Sequence, residues 1–78
     1  MEQFNYQPVI VTSFGLDQRG RSFPRRIEWQ GQTYHFNSHG LWLSVRKSGR
    51  LTRQVTCSDG AKSYCLRQVG QAWEIALS

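Results

Sequence analysis

The sequence predicts an all-β domain, and three observations carry that prediction. The apolar residues lean aromatic and β-branched, with four Phe, three Tyr and three Trp. No window repeats apolar residues at helical spacing. Short alternating stretches are instead separated by tight-turn signals such as Gln30-Gly31 and Asp59-Gly60. The expected architecture is a single small antiparallel meander of six or seven strands. A sheet of that width twists strongly, so it should curl into a barrel or half-barrel and hide its edges. At 78 residues the chain makes one domain, 1–78, divided into an N-terminal strand and mobile basic loop (1–22) and the meander proper (23–77).

Met1–Gln7 is polar with two aromatics, and Pro8 opens Val9-Ile10-Val11-Thr12-Ser13-Phe14, β-branched enough to be a first strand. The same stretch could lie across the sheet as an extended cover. From Gly15 to Ser22 glycines and charges replace apolar residues, so a mobile loop is expected, with Arg19, Arg21, Arg25 and Arg26 clustered around it. A solvated loop accounts for such a cluster as well as a binding surface does. Phe23–Trp29 and Gln32–Phe36 form a hairpin around Gln30-Gly31, which sets Ile27 opposite Tyr34 and puts Ile27, Trp29, Tyr34 and Phe36 on one face.

Asn37–Gly40 reads as a turn before Leu41–Val45. The next connection can be closed in two ways. A two-residue Ser48-Gly49 loop puts Leu43 and Val45 opposite Gln54 and Thr52 and mixes the faces, whereas a three-residue Lys47-Ser48-Gly49 loop puts Val45 opposite Leu51 and Leu41 opposite Val55. The apolar pattern favours the three-residue loop. That choice sends Trp42 to the wet face beside Gln54 and leaves Arg53 as a misfit on the dry one, unless its head snorkels outward or a bulge intervenes. Leu51–Cys57, Lys62–Arg67 and Ala72–Leu77 complete the meander. Loops at Asp59-Gly60 and Val69-Gly70 set Val55 opposite Tyr64 and Leu66 opposite Trp73, with Val55, Tyr64, Leu66, Trp73, Ile75 and Leu77 on the dry face.

The formal charge is +5, and eight of the ten basic residues are Arg. Guanidinium forks pair with phosphate and carboxylate and stack on aromatic rings, so anionic partners are expected; solubility alone would also explain the charge. No apolar run approaches the roughly 20 residues that span a bilayer, and Met1-Glu2-Gln3-Phe4 does not start a targeting signal, so the expected location is the cytoplasm, with no membrane partner. Cys57 and Cys65 fall on opposite faces and are expected to be free thiols. His35 and His39 have a zinc-like spacing, but these cysteines do not, so neither a metal nor a small-molecule cofactor is expected. Nucleophile, base and orienting group do not converge, and there is no Gly-rich loop before a helix, which argues against an enzyme.

Binding remains. Small β modules hold single strands by stacking bases on exposed aromatics while Arg and Lys follow the backbone. The residues expected to do so are Trp42, Arg46, Lys47, Arg50 and Arg67. The competing account of Trp42 is that Phe4, Tyr6 or Phe14 covers it. The competing class of function is a protein partner or a homodimer, joined through an unpaired edge strand.

The stretch Pro24–Tyr34 (Pro-Arg-Arg-Ile-Glu-Trp-Gln-Gly-Gln-Thr-Tyr), with Trp42, Asp59-Gly60, Tyr64, Leu66 and Trp73, resembles a family of short uncharacterised bacterial all-β domains, some of which occur beside translesion-type DNA polymerases. The resemblance spans Pro24 to Ile75 and departs in the N-terminal segment and in the Arg-rich 46–53 loop. It implies an all-β fold and a setting near nucleic acid, and it brings no catalytic residues.

Overall fold

The computed structural model describes residues 5–77, the side chain of Lys47 excepted. The strands are β1 (Asn5–Leu16), β2 (Ser22–Trp29), β3 (Gln32–His35), β4 (Ser38–Lys47), β5 (Arg50–Ser58), β6 (Ser63–Val69) and β7 (Ala72–Leu77). They form one antiparallel sheet in the order β3-β2-β1-β7-β6-β5-β4. The all-β class and the curled antiparallel sheet are as expected, but the order is not one continuous meander: β3 and β4 do not pair and form the two edges, and β1 pairs with β7. Val9–Phe14 belongs to the sheet and is not a cover over it.

β1 organises the sheet because it changes neighbour along its length. Asn5–Val9 pairs with Leu77–Trp73 of β7, whereas Ile10–Leu16 pairs with Glu28–Ser22 of β2. The ladder to β2 slips twice, past Thr12 on β1 and past Arg25 on β2, and an unpaired extra residue of this kind bends a strand and tightens its twist. The two ends of the sheet, β3 and β4, are consecutive in the chain and joined only through Phe36-Asn37, so the sheet has to curl until they approach each other. The link is tied to both sides: the Phe36 amide donates to the Arg25 carbonyl at 2.7 Å and the Asn37 amide to the Ser58 carbonyl at 2.9 Å. The expected turn at Asn37–Gly40 is therefore largely strand, since β4 starts at Ser38.

Inside the curl lie Val9, Ile27, Phe36, Val55, Cys57, Leu66, Trp73 and Ile75, with Val11, Trp29, Tyr34, Trp42 and Tyr64 packed around them. Tyr64 closes the curl, its ring 5.6 Å from those of both Tyr34 and Phe36. Full burial of each large apolar side chain stabilises the fold by about 1.5–3 kcal/mol.

The loops decide the registers. Gln30-Gly31 has positive φ at both residues, 52° and 74°, the backbone of a two-residue hairpin turn whose twist matches the strands; Ile27 faces Tyr34 as expected. Asp59-Gly60 is not a two-residue loop. Asp59 Oδ1 accepts the amides of Ala61 (2.8 Å) and Lys62 (2.7 Å), which widens the connection to Asp59–Lys62 and moves the partner of Val55 from Tyr64 to Leu66. In the last hairpin Gly70 leads a Gly70-Gln71 loop, so Leu66 meets Ile75 and not Trp73. Both shifts are by two residues, an even number that leaves every side chain on its expected face.

The β4–β5 hairpin is the correction that matters. Its loop is Ser48-Gly49, with φ of 53° and 77°, so that Lys47 faces Arg50, Leu43 faces Gln54 and Trp42 faces Val55. Against the expected three-residue loop this is a slip of one residue, and it exchanges the faces. Trp42 turns inward; Leu41, Leu43 and Val45 turn outward, with 85%, 57% and 45% of their surface exposed. A register shift between His39 and Trp42 restores the other phase at the start of β4, where His39 faces Cys57.

Candidate functional site

A cleft of about 720 Å³ opens at the mouth of the half-barrel, between the β1–β2 loop and the start of β4. Phe23, Phe36 and Trp42 supply much of its apolar lining, Arg19, Arg21 and Arg25 its positive charge and Asp17 its negative charge. Such a cavity, mostly apolar with a few placed polar groups, is the usual form of a binding site.

Asp17 builds the loop that carries two of these arginines. Its Oδ1 accepts the amides of Arg19 at 2.9 Å and Arg21 at 2.8 Å, and its own amide donates to the Arg21 carbonyl at 2.9 Å. Its Oδ2 lies 3.1 Å from His39 Nε2, so the loop is pinned to β4 across the cleft. The amide of Arg21 above all, then that of Arg19 and the contact with His39, hold the Asp17 carboxyl below its ordinary value of 3.8. His39 is fixed in turn by the Gly40 carbonyl, 2.7 Å from Nδ1, and by the Phe23 ring, 4.7 Å away. The expected mobile loop over Gly15–Ser22 thus shrinks to a tied connection over 17–21.

Trp42 joins this cleft to the hairpin. Its ring meets Trp73 edge-on at 6.1 Å, and Trp73 meets Phe14 at the same centroid distance. The Arg53 guanidinium lies 4.4 Å from the centroid of the Trp42 ring. Phe14, Trp73, Trp42 and Arg53 therefore form a row of contacts, with Phe14 54% exposed at one end and Arg53 exposed at the other. Arg53 does sit on the inner face, and stacking over Trp42 at the rim keeps its charge in water. The Trp42 Nε1 is buried and has no acceptor, a cost of about 1–3 kcal/mol.

The residues predicted from sequence divide between two faces. Trp42 and Arg46 alternate on the inner side, but Trp42 is half-buried among Val55, Trp73 and Arg53 and is not the open wet-face platform expected; its ring neighbours are Trp73 and Arg53 and not Tyr6 or Phe14, while Phe4 lies outside the described residues. Arg46 is exposed across from Leu51. Arg50 is exposed on the outer side, near Arg67. Arg67 is already engaged: its Nε donates to Glu74 Oε1 at 2.6 Å, and its guanidinium lies 3.4 Å over the Tyr6 ring. It braces β6, β7 and β1 and is not available beside Trp42. Lys47 lies across from Arg50, with its side chain outside the description.

Sequence reasoning noticed Arg19, Arg21 and Arg25 but had no means of joining them to Trp42. The contact that joins them, Asp17 to His39, spans 22 residues and two strands. Both cysteines are free: burial raises the Cys65 thiol and pushes that of Cys57 up to about 12, so both are protonated at neutral pH. Among the described residues no group of three or more His, Cys, Asp or Glu is placed to hold a metal ion, and no helix is long and apolar enough to cross a membrane. No protein-family model matches the chain, and neither a curated protein nor a solved structure is found to be similar to it.

Proposed function

We propose that the domain is a non-enzymatic module that binds single-stranded nucleic acid across the mouth of the half-barrel. Arg19, Arg21 and Arg25 hold phosphates on one side, Arg46 and Arg53 hold them on the other, and exposed Phe14 and the Trp42 edge receive bases between them. The observation that carries this reading is where the negative charge has gone. Of the four carboxylates among the described residues, Asp17 and Asp59 are occupied with loop amides and Glu74 with Arg67, while Glu28 is exposed on β2, outside the residues that line the mouth. Of the eight arginines, Arg67 alone has a carboxylate partner among the described residues, which leaves seven unpaired. Five of those seven lie along the mouth and the inner face of the hairpin.

The test is fluorescence anisotropy of the purified domain with a labelled single strand at about 50 mM salt, then across a salt series, since phosphate contacts weaken with a slope set by their number. Binding should be several-fold weaker for Arg21→Gln and Arg53→Gln and should lose part of its strength with Phe14→Ala. A strand that fails to bind at low salt overturns the reading. So does an abasic strand that binds as well as the normal one, because charge alone would then account for the affinity.

A further inference from the structure

We propose that β4 is the contact by which the chain pairs with a second copy of itself, edge to edge and antiparallel, with Leu43 on the two-fold axis. The sheet has two edges, and they are unlike. β3 offers four residues, of which Gln32, Thr33 and His35 are exposed and polar. β4 offers ten residues and no proline, regular from Trp42 to Lys47 and bulged between His39 and Trp42, and projects Leu41, Leu43 and Val45 outward with 85%, 57% and 45% of their surface exposed. A long apolar edge with unpaired backbone groups invites another strand.

Three features select a second copy as that strand. Antiparallel self-pairing about Leu43 sets Leu43 against Leu43, and Leu41 against Val45 in both directions, so each apolar side chain meets another. The same register puts Arg46 across from Gly40 of the second copy, so that this arginine faces no like charge, whereas parallel pairing would set Arg46 against Arg46. Finally, a head-to-tail contact of β3 with β4 could cover only four of the ten residues and would need further copies in a ring or filament, while β4 with β4 closes as a dimer. A two-fold axis perpendicular to the joined sheet keeps the inner faces of both copies on one side. Both arginine-lined mouths would then open in the same direction. Gly40 and Leu41 also line the mouth, so the paired strand stands at its rim, but nothing in the pairing requires a ligand there.

Sedimentation velocity of the full chain from about 5 to about 500 µM should show a monomer passing to a dimer, since self-association follows mass action. Leu43→Lys should remain monomeric throughout with an unchanged unfolding midpoint at low concentration. Register is tested by cross-linking in a Cys65→Ser background, where the remaining Cys57 is buried. Facing positions in an antiparallel pair have Cα atoms about 4.5–5.5 Å apart, within disulfide reach. Leu43→Cys should link to itself under mild oxidation, and Leu41→Cys should link to Val45→Cys but not to itself. A wild-type chain that stays monomeric over the whole range overturns the proposal and leaves this face to a different protein. A dimer that survives Leu43→Lys, or equal linking by Leu41→Cys alone and Leu43→Cys, overturns it as well.

Discussion

The β2–β3 and β4–β5 hairpins turn through the same kind of loop, Gln30-Gly31 and Ser48-Gly49, each with positive φ at both residues. Their faces are nevertheless opposite in character. β2 lies between β1 and β3, and buries Ile27 and half-buries Trp29 while Arg26 and Glu28 face water. β4 lies at the edge, turns Trp42, Ser44 and Arg46 inward and presents Leu41, Leu43 and Val45 to solvent. Loop geometry therefore fixes register first, and the apolar pattern follows only where both sides of a strand are occupied. At an edge the pattern can answer to something outside the domain.

The largest effect should come from cutting the same kind of side chain in the two hairpins. Ile27 is fully buried, so Ile27→Ala should cost about 2–5 kcal/mol in urea unfolding. Leu43→Ala, measured at low concentration, should stay within about 0.5 kcal/mol. If Leu43 proves as costly as Ile27, the outward face of β4 is misassigned.

A smaller effect probes the loops that the hairpins share. Ser48 and Gln30 both sit in the left-handed region, where asparagine is tolerated better than either. Ser48→Asn and Gln30→Asn should each raise the unfolding midpoint, by about 0.5 kcal/mol equivalent. Were Ser48→Asn to destabilise the chain while Gln30→Asn stabilised it, the two loops would not share a geometry.

The smallest effect concerns Asp17, which ties the β1–β2 loop to His39 at the start of β4. Its carboxyl is held below its ordinary value in the folded protein, so the ionised form stabilises the fold above that value and the contribution disappears as pH falls through the lowered one. Asp17→Asn should therefore be less stable than wild type near neutral pH, with the gap closing in acid. A gap that is constant from about pH 6 to about pH 2 would place its origin elsewhere.

Much of this molecule is legible in local chemistry. Gln30-Gly31 announces its hairpin, and the alternation of Val55, Leu66, Trp73 and Ile75 identifies the core face even though two registers move by two residues. Ser48 is where local reading gives out. A serine carries no sign that it will accept a left-handed backbone, and the apolar pattern of Leu41, Leu43 and Val45 points to the other loop. The one-residue slip that results turns Trp42 from the wet face to the inner one, where it packs half-buried against the core. Arg67 was misplaced for a related reason, because its engagement with Tyr6 depends on β1 lying beside β7. The cleft lay further out of reach, assembled by a contact between Asp17 and His39 that no short stretch contains.

The neighbour change in β1 also sets the order of events when the chain folds. Asn5 lies opposite Leu77, so one flank of the first strand is completed by the last. Every other hairpin in the sheet can form from residues close in the chain, but this pairing must close a loop spanning nearly the whole described molecule, with an entropy cost to match. The five β1–β7 pairs, and the burial of Val9 against Trp73, should therefore arrive late, making the rate at which the domain folds a property of its two most distant strands.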